Sequence, residues 1–324
     1  MSPVRFLHTF NSSLCLVIGT FLNCLLIFLV WRRTCRQVRI YSRILIQTCV
    51  VDIYALVIGY LLQPIYFVDN GTPSRTWNGP FHNASTYVHF MVFCLWIIGN
   101  FLSSASMTMQ FVYRYLLLCR NITISYSVYL ALIVIPGIFC VVWMNLIFNF
   151  TSGRPPPTKR LFGDSEFYYL LRESTEQEFV EVSVTDAKGN IPCIVGCLTM
   201  NFAFYMIIFI SSLRIKAFLN SQKDRVNSEF FKQAEHQMNY ILAAQAILPT
   251  ISLIIHTISL SCYLLFPGAS IYFLLYLTIP VYWLPVLNPL SIILIVKGYR
   301  NFLLKLLGGG RQRLQSRVAL TGTF

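Results

Sequence analysis

Long apolar runs alternate with short polar, mostly basic ones along nearly the whole chain, and the runs have the length of a membrane crossing. Seven can be marked, at 6–31, 44–68, 87–118, 125–150, 191–213, 239–266 and 271–296. A helix rises about 1.5 Å per residue, so about twenty apolar residues cross a hydrocarbon layer of about 30 Å. Each run is long enough, and the expected fold is all-α, a bundle of seven transmembrane helices. Within the third run His89, Phe93, Trp96 and Asn100 recur at intervals of four, three and four, which sets them on one helical face. That face is polar and aromatic, so it is expected to turn towards other helices or a cavity. The run ends at Tyr113-Arg114-Tyr115, and Arg114 is its only charged residue.

Polar groups inside the other runs are few. Asn23 lies in span one, Asp52 about a third of the way into span two, Ser103 in span three and Asn288 in span seven. A carboxylate at such depth costs roughly 2.5 to 3.5 kcal/mol on insertion scales, so it is expected to face the bundle interior with a partner. These four side chains are read as one buried polar network, with a plain structural hydrogen-bond cluster as the alternative. Pro64, Pro136, Pro249, Pro280, Pro285 and Pro289 interrupt spans two, four, six and seven. Each frees a backbone carbonyl that a neighbour must satisfy.

Between the spans, the loop 151–190 starts stiffly at Pro155-Pro156-Pro157 and carries seven acidic residues against five basic ones. Either a lid over the bundle or a solvated acidic loop fits it. The loop before span six is expected to continue spans five and six partly as helix. After span seven, 299–307 is basic and amphipathic and ends at three glycines, which suits a short helix on the membrane surface. Residues 1–307 then form the membrane domain and 308–324 a tail.

Composition sharpens this picture. With 56% hydrophobic and 11% charged residues, the chain is far below the roughly 25% charge of a soluble domain. Its net charge of +13 is explained by sidedness and not by nucleic acid. Helix ends and loops on one face hold 18 of the 25 basic residues, from Arg32 to Arg317. Basic loops stay in the cytoplasm, so the amino terminus is expected outside and the carboxyl terminus inside. The Asn-x-Ser/Thr triplets at Asn11, Asn70, Asn83 and Asn149 fall on the expected outer side and are candidates for glycosylation, whereas the one at Asn121 falls inside. The ten cysteines show no CxxC and no zinc-like spacing, so no metal or other cofactor is expected.

Asn23, Asp52, Tyr113-Arg114-Tyr115, Pro249 and Asn288-Pro289-Leu290-Ser291-Ile292 together resemble the scattered motifs of rhodopsin-like G-protein-coupled receptors. Arg39-Ile40-Tyr41-Ser42 ahead of Asp52, Gln245 ahead of Pro249, and Asn288-Pro289 followed by Tyr299-Arg300 narrow the likeness to the nematode serpentine chemoreceptors, class d. The resemblance implies a chemosensory receptor in the plasma membrane of a sensory cell. Its outer half would bind a small molecule, and its inner half would engage a heterotrimeric G protein. Three residues depart from the wider pattern. Tyr113 stands where an acidic residue normally precedes the arginine, and Ile292 replaces the tyrosine of the seventh-span motif. Cys94 sits deeper than the outer cysteine of the usual disulfide, which leaves a bridge to Cys193 open.

The expected ligand wall is His89, Phe93, Trp96 and Asn100, faced by Asn201, Tyr205, His256, Tyr263, Tyr272 and Tyr276. No carboxylate lies in the outer half of a span, which favours a neutral or acidic ligand over an amine. Arg114, Arg214, Lys216 and Lys232 are the expected G-protein face. Other classes fit less well. A seven-span ligand-gated channel subunit of the insect odorant type would need its amino terminus inside, and a retinal protein would need a lysine in mid span seven. An enzyme would show clustered His, Asp or Glu within spans, and a non-signalling transporter would show repeat symmetry.

Overall fold

The structure, a computed structural model, describes residues 2–33, 39–69, 72–81, 86–122, 124–152, 159–161, 179–181, 187–222, 279–296 and 298–305, with a few single positions between them. Six main helices are α1 (Pro3–Arg33), α2 (Arg39–Leu62), α3 (Thr86–Cys119), α4 (Tyr126–Ser152), α5 (Ala187–Gln222) and α6 (Leu284–Ile295). A 3-10 turn, Ile279–Trp283, leads into α6. The short helix α7, Gly298–Lys305, follows it and bends away by 86°. This agrees with the surface helix expected after span seven. The sixth apolar run, 239–266, lies almost wholly outside the described residues, as does the tail 308–324.

Among the described residues four helices are long and apolar enough to cross a membrane, over Pro3–Arg32, Ser42–Leu62, Met91–Cys119 and Thr199–Phe218. Their burial is inverted relative to a soluble protein. Val17, Phe21, Phe202 and Phe209 are exposed, while Asn23, Asp52, Gln110, Arg114 and Asn288 are buried. In lipid the apolar side chains lose nothing by facing outward, and polar groups must find partners inside.

Helix α3 is central, packing on α2, α4 and α5, while α1 packs on α2 and α6. Two cores result. One joins Ile44 of α2, Phe101, Ala105, Met109 and Tyr113 of α3, Tyr129 and Ile133 of α4, and Phe204 of α5. The other joins Leu26, Leu29 and Val30 of α1, Leu45 and Cys49 of α2, Ile292 and Ile293 of α6, and Tyr299 of α7. Close approach of α2 and α3 depends on Gly99, where an added Cβ would lie 2.8 Å from the Tyr54 ring. The Tyr54 hydroxyl donates to the Leu95 carbonyl at 2.9 Å across the same contact.

Two short hairpins depart from the all-helical expectation. The apolar run of span two continues to 68, yet α2 ends at Leu62. Gln63 takes a φ of 43°, and Pro64 opens β1 (Pro64–Asp69), which pairs antiparallel with β2 (Thr72–Trp77) in the register Pro64↔Trp77 to Asp69↔Thr72. Proline has no N–H for the helix ladder and pushes the preceding residue out of the helical region, so Pro64 ends the helix and does not kink it. Hydropathy alone misses this because Ile65, Tyr66, Phe67 and Val68 are as apolar as a helix face but favour strand. In the long acidic loop, β3 (Lys159–Leu161) pairs with β4 (Phe179–Glu181), and β4 lies against β2. That part of the loop rests on the first hairpin.

The chain leaving β2 returns to cap α2. Asn78 N donates to the Gln63 carbonyl at 3.1 Å and Gly79 N to the Leu62 carbonyl at 3.3 Å. The Asn78 amide also reaches the Arg5 carbonyl, the Thr9 hydroxyl and Gln63 Oε1 at 2.9 to 3.0 Å, which ties α1, α2 and the hairpin together. A Cβ on Gly79 would sit 2.0 Å from the Leu61 carbonyl oxygen, a backbone atom that cannot step aside. Gly79→Ala is therefore expected to cost about 1–3 kcal/mol, read as a lower unfolding midpoint of the detergent-purified protein. An unchanged midpoint would show that the turn tolerates a side chain.

Candidate functional site

The buried polar groups collect between α1, α2, α3 and α6. Span seven explains part of this from its prolines. Pro289 has no N–H, so the Pro285 carbonyl one turn earlier loses its helical donor. Asn23 Nδ2 supplies it at 3.0 Å, while also donating to its own Gly19 carbonyl at 2.8 Å. Asn23, fully enclosed at 0% exposure, thus pins α1 to the weakened turn of α6. One turn on, Asn288 Nδ2 donates to both oxygens of Asp52 at 3.3 Å. Among the described residues it is the carboxyl's one hydrogen-bond partner, and the pair is almost sealed, with Asp52 2% and Asn288 4% exposed.

Ser103 does not join this pair. It is only half-buried, and Asp52 turns to α6 and away from α3. Other residues carry the link between α2 and α3: Gln47 Nε2 donates to the Ser106 hydroxyl at 3.3 Å and Gln110 Nε2 to the Thr48 hydroxyl at 2.6 Å. Thr48 in turn donates to the Ile44 carbonyl at 3.0 Å. These four residues were not singled out from the sequence, although Thr48 lies four before Asp52 and Gln110 four after Ser106, the spacing of one helical face. The carbonyl oxygens of Asn23, Asn288, Gln47 and Gln110 have no hydrogen-bond partner among the described residues. The network therefore has spare acceptors facing inward.

At the other end of α3, Arg114 is buried to 3% exposure. Its neighbours are aromatic: Tyr113 meets Tyr129 edge-on with ring centroids 6.0 Å apart, and Tyr129 stacks on Tyr126 at 6.3 Å. Arg114 lies near the Tyr129 hydroxyl. Arg43 of α2 lies over the Tyr126 ring at 5.6 Å, closing the group from a third helix. Arg214 and Lys216 of α5 are exposed nearby along the basic face, and Lys232 lies outside the described residues.

On the face where α1 begins, Phe93 stacks on Trp96 at 6.0 Å, and Trp77 at the end of β2 tilts against Phe93 at 5.8 Å. Trp77 was not read from the sequence as part of this wall; only the hairpin brings it there. Asn100 Nδ2 donates back to the Trp96 carbonyl at 2.9 Å, which occupies one amide donor within α3 itself. Tyr205 is not beside them. It packs with Met107, Phe111 and Ile208, and Met107 lies fourteen residues, or about 21 Å, along α3 from Phe93. Asn201 sits one turn before Tyr205 and is half-buried, and Tyr276 is exposed. His256, Tyr263 and Tyr272 lie outside the described residues, as does the side chain of His89.

The sequence model of the family described as serpentine type 7TM GPCR chemoreceptor Srd matches residues 8–305, nearly the whole chain. The chain belongs to the Srd family of serpentine chemoreceptors. A search among curated proteins finds no match. As an Srd chemoreceptor it is a multi-pass membrane protein of the seven-helix type, and the departures noted in its sequence now have physical settings. Tyr113 fills the aromatic cluster with Tyr129 where an acidic residue would face Arg114, and Ile292 is enclosed by Leu26, Leu29 and Leu45, an apolar site that suits no tyrosine hydroxyl. Asn11 is buried within α1. Its Oδ1 accepts from Trp283 Nε1 at 2.9 Å and its Nδ2 donates to the Ile279 carbonyl at 3.5 Å, so the nitrogen that would carry a glycan faces another part of the chain. Asn70, Asn83 and the side chain of Asn149 lie outside the described residues, as does the side chain of Cys193; Cys94 is half-buried on α3.

Proposed function

We propose that this Srd receptor binds a small neutral or acidic odorant-like molecule at the face where α1 begins, outside the cell. It passes the signal to a heterotrimeric G protein at the basic face, inside. The observation that carries the reading is Arg114, a cation buried at the basic end of the central helix, next in sequence to the tyrosine cluster of α3 and α4. Ionisable residues at membrane depth are rare and mark functional positions, and release of Arg114 towards a cytoplasmic partner would be such a function. Phe93, Trp96 and Trp77 support the ligand half of the reading, because stacked aromatic faces bind apolar molecules without needing a counter-ion. The polar links across α1, α2, α3 and α6 lie between the two ends. Ligand shifts the equilibrium by as much as its affinity differs between the two states.

The test is G-protein activation in cells expressing the chain, challenged with a panel of volatile and water-soluble molecules, with Arg114→Ala beside the native receptor. A response lost in the variant at equal surface level is the expected result. Ion current without G-protein activation would favour a ligand-gated channel, and a response untouched by Arg114→Ala would overturn the role given to this residue.

A further inference from the structure

Between the basic-face ends of α3 and α5 the surface opens into a shallow cleft of about 190 Å³, lined by Tyr115, Arg120, Ile210, Ser211 and Arg214. Its walls are held together: Cys119 Sγ donates to the Arg214 carbonyl at 3.8 Å, and Arg120 Nε donates to the Tyr115 hydroxyl at 3.2 Å. The second bond uses the one guanidinium nitrogen outside the terminal fork, so the fork of Arg120 is left to face the cleft. Neither Arg120 nor Arg214 has an acidic partner among the described residues. Two guanidinium groups converging on one cleft repel each other unless an anion lies between them, and the hydroxyls of Tyr115 and Ser211 add donors to the same space.

Beside the cleft the surface turns apolar. Ile210, a lining residue, is 51% exposed, and Leu213 and Leu117 are exposed nearby. A soluble anion has no use for that flank, whereas an acyl chain does. Guanidinium forks match phosphate oxygens two at a time, and basic pockets between helices on the cytoplasmic side suit phosphorylated headgroups. We propose that this cleft binds the phosphate of an anionic membrane lipid, with Arg120 and Arg214 as its clamp, Tyr115 and Ser211 as hydroxyl donors, and the lipid tail along Ile210 and Leu213. Occupancy would link α3 to α5 at the end where Arg114 is buried. The leaflet, though not the site, rests on the orientation proposed above.

The experiment uses the full-length receptor in nanodiscs of phosphatidylcholine containing a few per cent of phosphatidylinositol phosphate, with retained lipid counted by native mass spectrometry. Arg120→Gln with Arg214→Gln is expected to lower retention about tenfold, and each single change less. Both side chains are at the surface, so equal unfolding midpoints in lipid-free detergent check that the variants fold. Retention equal to the native receptor overturns the site. Inositol phosphate without acyl chains competing as well as the intact lipid overturns the lipid source in favour of a soluble phosphate. Loss of G-protein activation with unchanged lipid retention assigns the arginines to the protein partner instead. A separate protease-protection measurement on sealed vesicles reports the sidedness, so a wrong orientation is distinguishable from an absent site.

Discussion

Tyr129→Ala is expected to be among the most destabilising single changes in the described part of the molecule, costing about 3–5 kcal/mol by the usual range for a buried aromatic. Tyr129 is 1% exposed and one of the largest enclosed side chains, and its ring contacts Tyr113 and Tyr126. The cavity left behind would lie in the cluster joining α2, α3, α4 and α5, with backbone on several sides that cannot collapse into it. Tyr129→Phe separates packing from polarity. The hydroxyl has no hydrogen-bond partner among the described residues, so removing it leaves the fold nearly as stable. The expected pair of results is a large fall in unfolding midpoint for alanine and a small one for phenylalanine. Equal midpoints for the two variants would mean that the ring is not the packing element it is taken to be.

How much of this was legible in the sequence follows from what each signal measures. Hydropathy finds helices, and it located α1, α3 and α4 to within a few residues, whereas α5 runs on to Gln222 and α6 begins at Leu284, well inside the run 271–296. It does not distinguish a helix end from an apolar strand. Ile65 to Val68 therefore extended span two, and the turn at Gln63 and Pro64 went unseen. With the hairpin missed, Trp77 was missed too, because only strand pairing brings it to Phe93. The cost of burying a charge picked out Asp52 and Asn288 as partners across 236 residues. It does not say which way a side chain turns, so Ser103 was grouped with them while Ser106 and Gln110 make the bonds to α2. Helix register is hidden in the same way: nothing in the spacing of α5 reveals that Tyr205 meets Met107 and not Phe93.

The Asp52–Asn288 pair carries the second large prediction, and its size is informative in itself. Asn288→Ala removes the carboxyl's one hydrogen-bond donor among the described residues and leaves Asp52 sealed in the interior. A hydrogen bond to a charged group contributes about 1.5–3 kcal/mol net and a neutral one about 0.5–1.5, so the measured loss reports which form of the carboxyl the bond serves. Asp52→Leu removes the buried acid as well and should recover part of that loss when combined with Asn288→Ala. The coupling energy across the double-mutant cycle is expected at about 1–3 kcal/mol. Asn23→Ala serves as the comparison, because it strips the donor from the Pro285 carbonyl without touching the carboxyl, and should not couple to Asp52 to the same degree. Unfolding midpoints of the purified variants give the stabilities, and agonist dose responses give the function. If the pair only supports the fold, signalling per surface receptor stays constant across the cycle. If it also balances the two receptor states, Asp52→Asn shifts the dose response at normal surface level, since the change keeps the side chain's size while altering what Asn288 can donate to. Additive losses in both measurements would place Asp52 and Asn288 beside each other without making them a unit.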